Sequence, residues 1–191
     1  MPRSIILVRH GRSSLRAPQR LTSDGLRSTA RRYDEAGIRA TPRPSALLRR
    51  HARAAGVIAC SDVRRAVESA RVLDGTRRVL IDPLFREAGL PVRSRLPLRL
   101  SFDSWVWIAV IAWFWGWARG TESLTDARRR ARTAARRLIG LSTQHRSVML
   151  VGHGVFNALI AAELQGRGWQ GPRWKLTAAH WEFAGYTKPS R

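Results

Sequence analysis

Two histidines in this sequence stand beside glycine, each directly after a short run of apolar residues. His10 follows the run Ile5–Val8 within ILVRHG, and His153 lies within VGHG. A neutral imidazole can attack phosphorus, and glycine lets backbone approach a phosphate closely, while a following helix can point N–H groups at the anion. The pattern therefore indicates phosphoryl transfer through a covalent histidine.

Arginines accompany these histidines. Arg9 immediately precedes His10, and the segment CSDVRR, which ends another apolar run, supplies Arg64 and Arg65. Guanidinium groups bind nonbridging phosphate oxygens in bidentate fashion and neutralise the charge that spreads over them. They also lower the pKa of a nearby histidine, which favours the neutral, nucleophilic imidazole. We therefore expect a shared phosphate site.

Four short apolar runs are typical of strands and would position these side chains. They are separated by helix-like stretches, an order that favours a mainly parallel sheet covered on both faces. Ligands bind at the carboxyl ends of strands in such sheets. Three strands would then deliver two histidines and at least two arginines to one edge. The four strands are Ile5–Val8, Val57–Cys60, Val79–Ile81 and Val148–Val151.

Capping residues and apolar periodicity predict the remaining elements. The clearest helix covers Ser123–Ile139, where apolar residues recur every three to four positions and Ser123 with Asp126 resembles a capping box. We also expect three further helices. The first covers about 26–37 and is opened by Asp24 and Gly25, the second is capped by Asp62 and runs to about Leu73, and the third follows His153 and continues through Leu164. An edge strand is expected over Ala179–Tyr186.

Composition limits the classes of protein to consider. The chain has 191 residues, which suits one domain, and its single cysteine, Cys60, permits no intramolecular disulfide. The net charge is +22, but the arginines are scattered along the chain, which favours solvated helix faces over a dedicated polyanion site. The first apolar run is far shorter than that of a signal peptide, so we expect a reducing, cytoplasmic location.

The segment Ser104–Ala118 is unusual because it carries no charge and contains five of the eight tryptophans. It is shorter than the ~20 apolar residues that cross a bilayer. A core helix is the favoured interpretation. The alternatives are a tryptophan-rich lid over a hydrophobic substrate and an element that rests in a membrane interface.

The order of the motifs resembles that of the histidine phosphatase superfamily, which includes the cofactor-dependent phosphoglycerate mutases. The resemblance implies a three-layer α/β/α sandwich with a mainly parallel, phosphoglycerate mutase-like sheet, formed by residues 1–191 as one domain with an insertion at about 88–121. The matching elements are RHG at Arg9–Gly11, Leu21-Thr22 with Gly25, SDVRRA at Ser61–Ala66, LFRE at Leu84–Glu87, Thr121-Glu122-Ser123, and Val151–Gly154.

Each catalytic role follows from this resemblance. His10 would be the phosphorylated nucleophile, and Arg9, Arg65 and His153 would form the phosphate pocket. Glu87 would protonate the leaving oxygen and then activate water, since hydrolysis of the phosphohistidine needs the reverse proton transfer. No metal and no cofactor is implied. The second motif lacks the His-Asp pair of the acid phosphatase branch, so the acid should come from elsewhere in the chain.

Several assignments keep alternatives. Arg64 is the rival of Arg65, and Asp82 and Glu122 are alternatives to Glu87. Residues without a motif receive structural interpretations. These are surface or packing roles for His51, His145 and His180, an inert buried thiol for Cys60, and for Asn157 either packing or support of the pocket.

Two departures from the mutase pattern bear on the reaction. Mutases usually carry an acidic residue after the RHG glycine and an asparagine five residues beyond that glycine, whereas this chain has Arg12 and Arg16. Both changes add positive charge, and Arg16 and Ser13 are candidates for additional phosphate contacts. Hydrolysis of a phosphate monoester is the preferred reaction, and a mutase-like phosphotransferase is the alternative.

The expected partner is a small phosphorylated molecule, and the tryptophans suggest a hydrophobic leaving group. A rival of another class is a non-catalytic basic protein that binds RNA or anionic membrane. The intact His10, Arg65 and His153 argue against it, and we expect no nucleic-acid partner. Peripheral membrane contact through the tryptophan-rich segment stays open.

Overall fold

A central five-stranded sheet with the order β3-β2-β4-β1-β5 organises the fold. The structure, a computed structural model, describes residues 2–76, 79–89, 91, 98–118 and 120–189. Strand β5 is antiparallel to β1 and the other pairs are parallel, so the expected mainly parallel sheet is confirmed. The strands are β1 (Arg3–Arg9), β2 (Val57–Cys60), β3 (Leu80–Ile81), β4 (Ser147–Gly152) and β5 (Phe183–Lys188).

Six helices surround the sheet in the described part of the chain. They are α1 (Ser23–Glu35), α2 (Ala46–Ala54), α3 (Arg64–Leu73), α4 (Phe102–Phe114), α5 (Leu124–His145) and α6 (Gly154–Gly166), with a short 3-10 turn at Pro83–Phe85.

Alternation along the buried strands builds the three layers. Ile5 and Leu7 of β1 pack in one cluster with α5 and α6, whereas Ile6 and Val8 pack in another with α2 and α3. Successive side chains of a strand point to opposite faces, so a continuous apolar run serves both layers. The expected α/β/α sandwich is confirmed.

Some boundaries differ from the sequence-based expectations. Helix α3 begins without a side-chain cap, because the carboxylate of Asp62 instead pairs with Arg86. Strand β5 starts at Phe183 and not at Ala179, since the backbone N–H of Glu182 bonds to the carbonyl of Ala179 in a turn. Helix α2 was not predicted.

Helix α4 carries the tryptophan-rich segment, and one side of it is anchored. Trp105 and Trp113 are buried, with their indole N–H groups donating to the carbonyls of Leu21 (2.9 Å) and Glu122 (2.7 Å). The opposite side is exposed, so the expectation of a core helix was right for only half of its surface. Part of the expected insertion at 88–121 (residues 90, 92–97 and 119) lies outside the described residues. None of the described helices combines the length and apolar character needed to span a bilayer.

Candidate active site

A cleft of about 1700 Å³ opens where β1 and β2 end and α6 begins. Its wall combines charged groups from several loops with the inner side of α4. Seven arginines of the described chain contribute to the lining, namely Arg9, Arg12, Arg16, Arg39, Arg64, Arg65 and Arg86.

His10 lies at the base of this cleft and is 2 % exposed. Its Nδ1 is 2.7 Å from the carbonyl oxygen of Gly11, which can only accept, so Nδ1 carries the proton. The lone pair is therefore on Nε2, where Arg65 donates a hydrogen bond from its Nε at 3.3 Å. This tautomer leaves Nε2 as the ring nitrogen with a lone pair directed at Arg65.

Arg65 is held by the C-terminal end of α1. Its Nη1 donates to the carbonyl of Tyr33 at 2.9 Å and to the carboxylate of Asp34 at 3.1 Å, and its guanidinium lies 4.3 Å from the Tyr33 ring. The last carbonyls of a helix attract cations. The Arg65 side chain is 3 % exposed, whereas that of Arg64 is 67 % exposed and pairs with Glu68. The geometry thus places Arg65, and not its neighbour, beside His10.

His153 lies behind His10, with ring centroids 5.1 Å apart, and is fully buried. Its Nδ1 is 3.5 Å from Nη2 of Arg65, which can only donate, and its Nε2 is 2.7 Å from the hydroxyl of Ser61. Ser61 comes from the SDVRRA segment at the end of β2, so two of the sequence motifs meet at this imidazole.

Burial and positive charge keep both histidines neutral. Burial lowers the pKa of His10 well below its usual value, and the charge of Arg65 lowers it further. Burial is also the main reason that the pKa of His153 is lowered, with contributions from His10 and Arg65. Both imidazoles are therefore uncharged near neutral pH.

Glu87 reaches the start of α6 from the loop after the 3-10 turn. Its carboxylate accepts hydrogen bonds from the backbone N–H groups of Phe156 (2.8 Å), Val155 (3.3 Å) and Ala88 (3.0 Å). An N-terminal helix turn is a favourable position for an anion. Glu87 also lines the cleft.

The two alternative acids have other partners. Asp82 accepts a hydrogen bond from the backbone N–H of Leu84, and Glu122 forms an ion pair with Arg130 at 2.7 Å. Burial opposes ionisation of Glu122, but the hydrogen bond and charge of Arg130 outweigh it and lower its pKa. Neither carboxylate lines the cleft, whereas Glu87 does.

Three further predicted residues also line the cleft. Arg9 donates from Nη1 to the carbonyl of Ala178, and its buried Nε has no hydrogen-bond acceptor in the described part of the chain. Ser13 is buried and accepts a hydrogen bond from the N–H of Leu15 at 3.2 Å. Arg16 is exposed at the mouth of the cleft.

His180 lies in the cleft, so the surface or packing role predicted for it from the sequence was wrong. Its ring centroid lies 5.6 Å from that of His10, and it lines the same cleft. Burial, followed by the charges of Arg9 and Arg12, lowers the pKa of His180 to about 4. The available signal was the predicted edge strand, because a strand antiparallel to β1 begins where β1 ends.

The turn after β1 is fixed by residues distant in sequence. A Cβ on Gly11 would lie 2.4 Å from the indole of Trp181, so only glycine fits beneath that ring. The side-chain amide of Asn157 donates to the carbonyl of Val8 at 3.0 Å, which ties α6 to β1. Asn157 therefore supports the position of His10 instead of only packing on its own helix.

Comparison with known proteins gives a family match and a set of similar folds. The family model of the histidine phosphatase superfamily (branch 1) matches residues 5–188. No curated protein matches the chain.

Three solved structures illustrate the fold. A protein described as mycobacterial hydrolase 1 has 21% identity and a TM-score of 0.62, with 96% of this chain and 88% of that chain covered. The mycobacterial glucosyl-3-phosphoglycerate phosphatase has 22% identity and a TM-score of 0.59, with 97% and 90% covered. Phosphoserine phosphatase from Entamoeba histolytica, in complex with 3-phosphoglyceric acid, has 14% identity and a TM-score of 0.55, with 95% and 89% covered. At these identities the likeness concerns the fold alone.

Proposed function

Because this chain belongs to branch 1 of the histidine phosphatase superfamily, we propose that it hydrolyses a phosphate monoester through a phosphohistidine formed on His10. The observation that carries the proposal is the tautomer of His10, whose Nε2 lone pair faces the Arg65 guanidinium at 3.3 Å. The proposed nucleophile, neutral His10, and the proposed phosphate-binding cation, Arg65, are thus in direct contact.

The phosphoryl group binds between Arg9, Arg65 and His153. Arg9 supports this role with a buried Nε–H that lacks an acceptor in the described chain, and Arg65 with a guanidinium fixed by α1. Charge on the transferring phosphoryl oxygens is stabilised by donors that are already oriented, so little reorganisation accompanies the reaction. Because these cations supply the positive charge, the proposed reaction needs no metal.

The reaction proceeds in two balanced steps. Nε2 of His10 bonds to phosphorus while the ester P–O bond breaks, and protonated Glu87 gives its proton to the leaving oxygen. Water then attacks the phosphohistidine, Glu87 takes a proton from it, and the N–P bond breaks to release inorganic phosphate. The backbone N–H groups of Val155 and Phe156 hold the Glu87 carboxylate in place at the start of α6.

The leaving group would lie against α4. Trp105, Val106 and Trp107 line the cleft, whose lining also includes seven arginines. We propose that residues 88–121 act as a lid-like specificity segment and favour an apolar or aromatic leaving group. The similar folds include phosphatases for small polar phosphates, so those compounds are the natural comparison substrates.

The test is hydrolysis of 4-nitrophenyl phosphate by purified protein in the presence of a chelator. His10→Ala should lower kcat by at least ~1000-fold, since it removes the proposed nucleophile. The exposed His145→Ala is the matched control and should retain full activity. Intact-mass measurement should detect one added phosphoryl group on wild type only.

Retention of activity by His10→Ala, or a requirement for added metal, would contradict the mechanism. Product analysis with an alcohol acceptor separates the reactions, because a phosphotransferase would deliver phosphate to the acceptor in preference to water.

A further inference from the structure

The outward side of α4 and the turn after it form a patch of large apolar side chains on the surface of the protein. Within α4 the exposed residues recur at spacings of three to four, which places them on one side of the helix. Soluble monomers rarely expose so many contiguous large apolar groups without a partner. This apolar face consists of Trp107, Ile108, Ile111, Phe114, Trp115 and Trp117.

The orientation of this face is fixed from behind. Trp105 and Trp113 are buried on the other side of α4, and both indole N–H groups donate to backbone carbonyls. Rotation of the helix would bury the apolar face but would break both hydrogen bonds and expose two tryptophans. The exposure is therefore built into the packing of α4.

The face continues into the mouth of the cleft. Trp107 is exposed and also lines the cleft, as do the exposed Arg12 and Arg16, here termed the arginines of the cleft rim. Apolar and cationic groups thus meet at one opening. This combination matches a surface that offers acyl chains beneath phosphate headgroups.

Charge selects among the partners that could cover the face. The chain carries 35 Lys and Arg against 13 Asp and Glu, so a second copy would bring the same positive charge to the contact. An anionic surface would be attracted instead. RNA offers charge and stacking bases, but Ile108 and Ile111 have no aromatic ring to stack. Aliphatic and indole groups together fit a lipid interface, where tryptophan is enriched.

We propose that the apolar face of α4 docks on an anionic lipid surface, with the arginines of the cleft rim at the headgroups. The side chains of Trp115 and Ile111 enter the interfacial layer, and the cleft then opens towards the membrane plane. This inference rests on the surface of the protein and does not depend on the proposed hydrolysis.

Co-sedimentation with vesicles tests the proposal. Wild type should bind vesicles of phosphatidylcholine with one third phosphatidylglycerol and bind pure phosphatidylcholine far less. The double variant Ile111→Ser/Trp115→Ser removes side chains that are 57 % and 87 % exposed, so folding should be unaffected. Its partition onto the anionic vesicles should fall by at least ~10-fold, because the buried apolar area on the membrane is lost.

A matched control removes apolar groups of similar exposure elsewhere. Leu47 on α2 is 54 % exposed and Val72 on α3 is 51 % exposed, and Leu47→Ser/Val72→Ser should bind within ~2-fold of wild type because neither lies on α4. Equal binding by both double variants would reduce the interaction to general charge attraction and overturn the proposal. Absence of vesicle binding by wild type would also overturn it, as would a wild-type dimer that dissociates in the α4 variant. A wild type that binds RNA but not vesicles, and loses RNA binding in the α4 variant, would overturn it in favour of RNA.

Discussion

The Nε of Arg65 lies 3.3 Å from the Nε2 of His10, so the guanidinium proposed to bind phosphate donates a hydrogen bond to the nitrogen proposed to attack phosphorus. In the proposed reaction, Arg65 transfers that hydrogen bond to a phosphate oxygen when substrate binds, which frees the lone pair of His10. Binding and activation of the nucleophile are thereby linked through one side chain.

Replacement of Arg65 should weaken binding of inorganic phosphate. Arg65→Ala should raise the Kd for phosphate by about 100-fold, because a buried cation is removed from the oxyanion position. Arg64→Ala is the matched control, and the exposed ion pair that it breaks should change this Kd by less than ~2-fold. Isothermal titration calorimetry measures the Kd of each variant. Equal increases of Kd in the two variants would contradict a phosphate-binding role for Arg65.

Replacement of Glu87 should discriminate between leaving groups. Glu87→Gln should lower kcat by ~100-fold or more for alkyl phosphates, whose leaving oxygen needs a proton, and by less for 4-nitrophenyl phosphate. Asp82→Asn serves as the control, since its carboxylate caps the turn at Leu84 and does not line the cleft. A loss that does not depend on the leaving group would assign Glu87 a structural role.

Ser61 should act as a positioning residue for His153. Ser61→Ala deletes the only hydrogen bond described for Nε2 of this fully buried imidazole, and kcat/KM should fall by ~10-fold because the ring loses its orientation. Ser142→Ala removes another fully buried serine, on α5 and away from the cleft, so it should cost stability with no loss of kcat/KM. Similar kinetics for the two variants would count against the assignment.

Acid should destabilise the fold through three histidines. His10, His153 and His180 all have folded-state pKa values below the usual 6.5, so the unfolded chain binds more protons between that value and the lowered ones. Their neutral forms contribute stability that is fully present above pH ~6.5 and is lost as the pH falls below it. The thermal midpoint should therefore decrease from pH 7 to pH 5.

His180→Asn measures the contribution of one of these histidines to the pH dependence of stability. The pKa of His180 is lowered to about 4, so the variant should show a shallower decrease of the thermal midpoint across the same interval. An unchanged slope would mean that His180 titrates alike in the folded and unfolded chain.

The strands and the meeting of the motifs could be predicted because both depend on short-range signals. Apolar runs such as Val57–Cys60 are buried on both faces, and the carboxyl ends of neighbouring parallel strands always meet at one edge. Those two rules bring His10, Arg65 and His153 together.

The missed features depend on tertiary pairing. His180 is 170 positions from His10 in sequence, and only the antiparallel register of β5 brings them together. Asp62 was predicted to cap a helix, but its carboxylate pairs with Arg86, which is distant in sequence. Helix α4 is apolar on all sides, so its sequence could not show which side faces solvent.

Strand β1, which carries the proposed nucleophile at its end, lies between β4 and β5. Both neighbours come from residues 147–188, so β1 cannot pair on either side until those residues have been synthesised. The turn at Gly11 packs against the indole of Trp181, which belongs to the same segment. Residues 1–146 thus contain neither of the two strands that flank β1, so a fragment of that length would not fix His10 at the edge of the sheet.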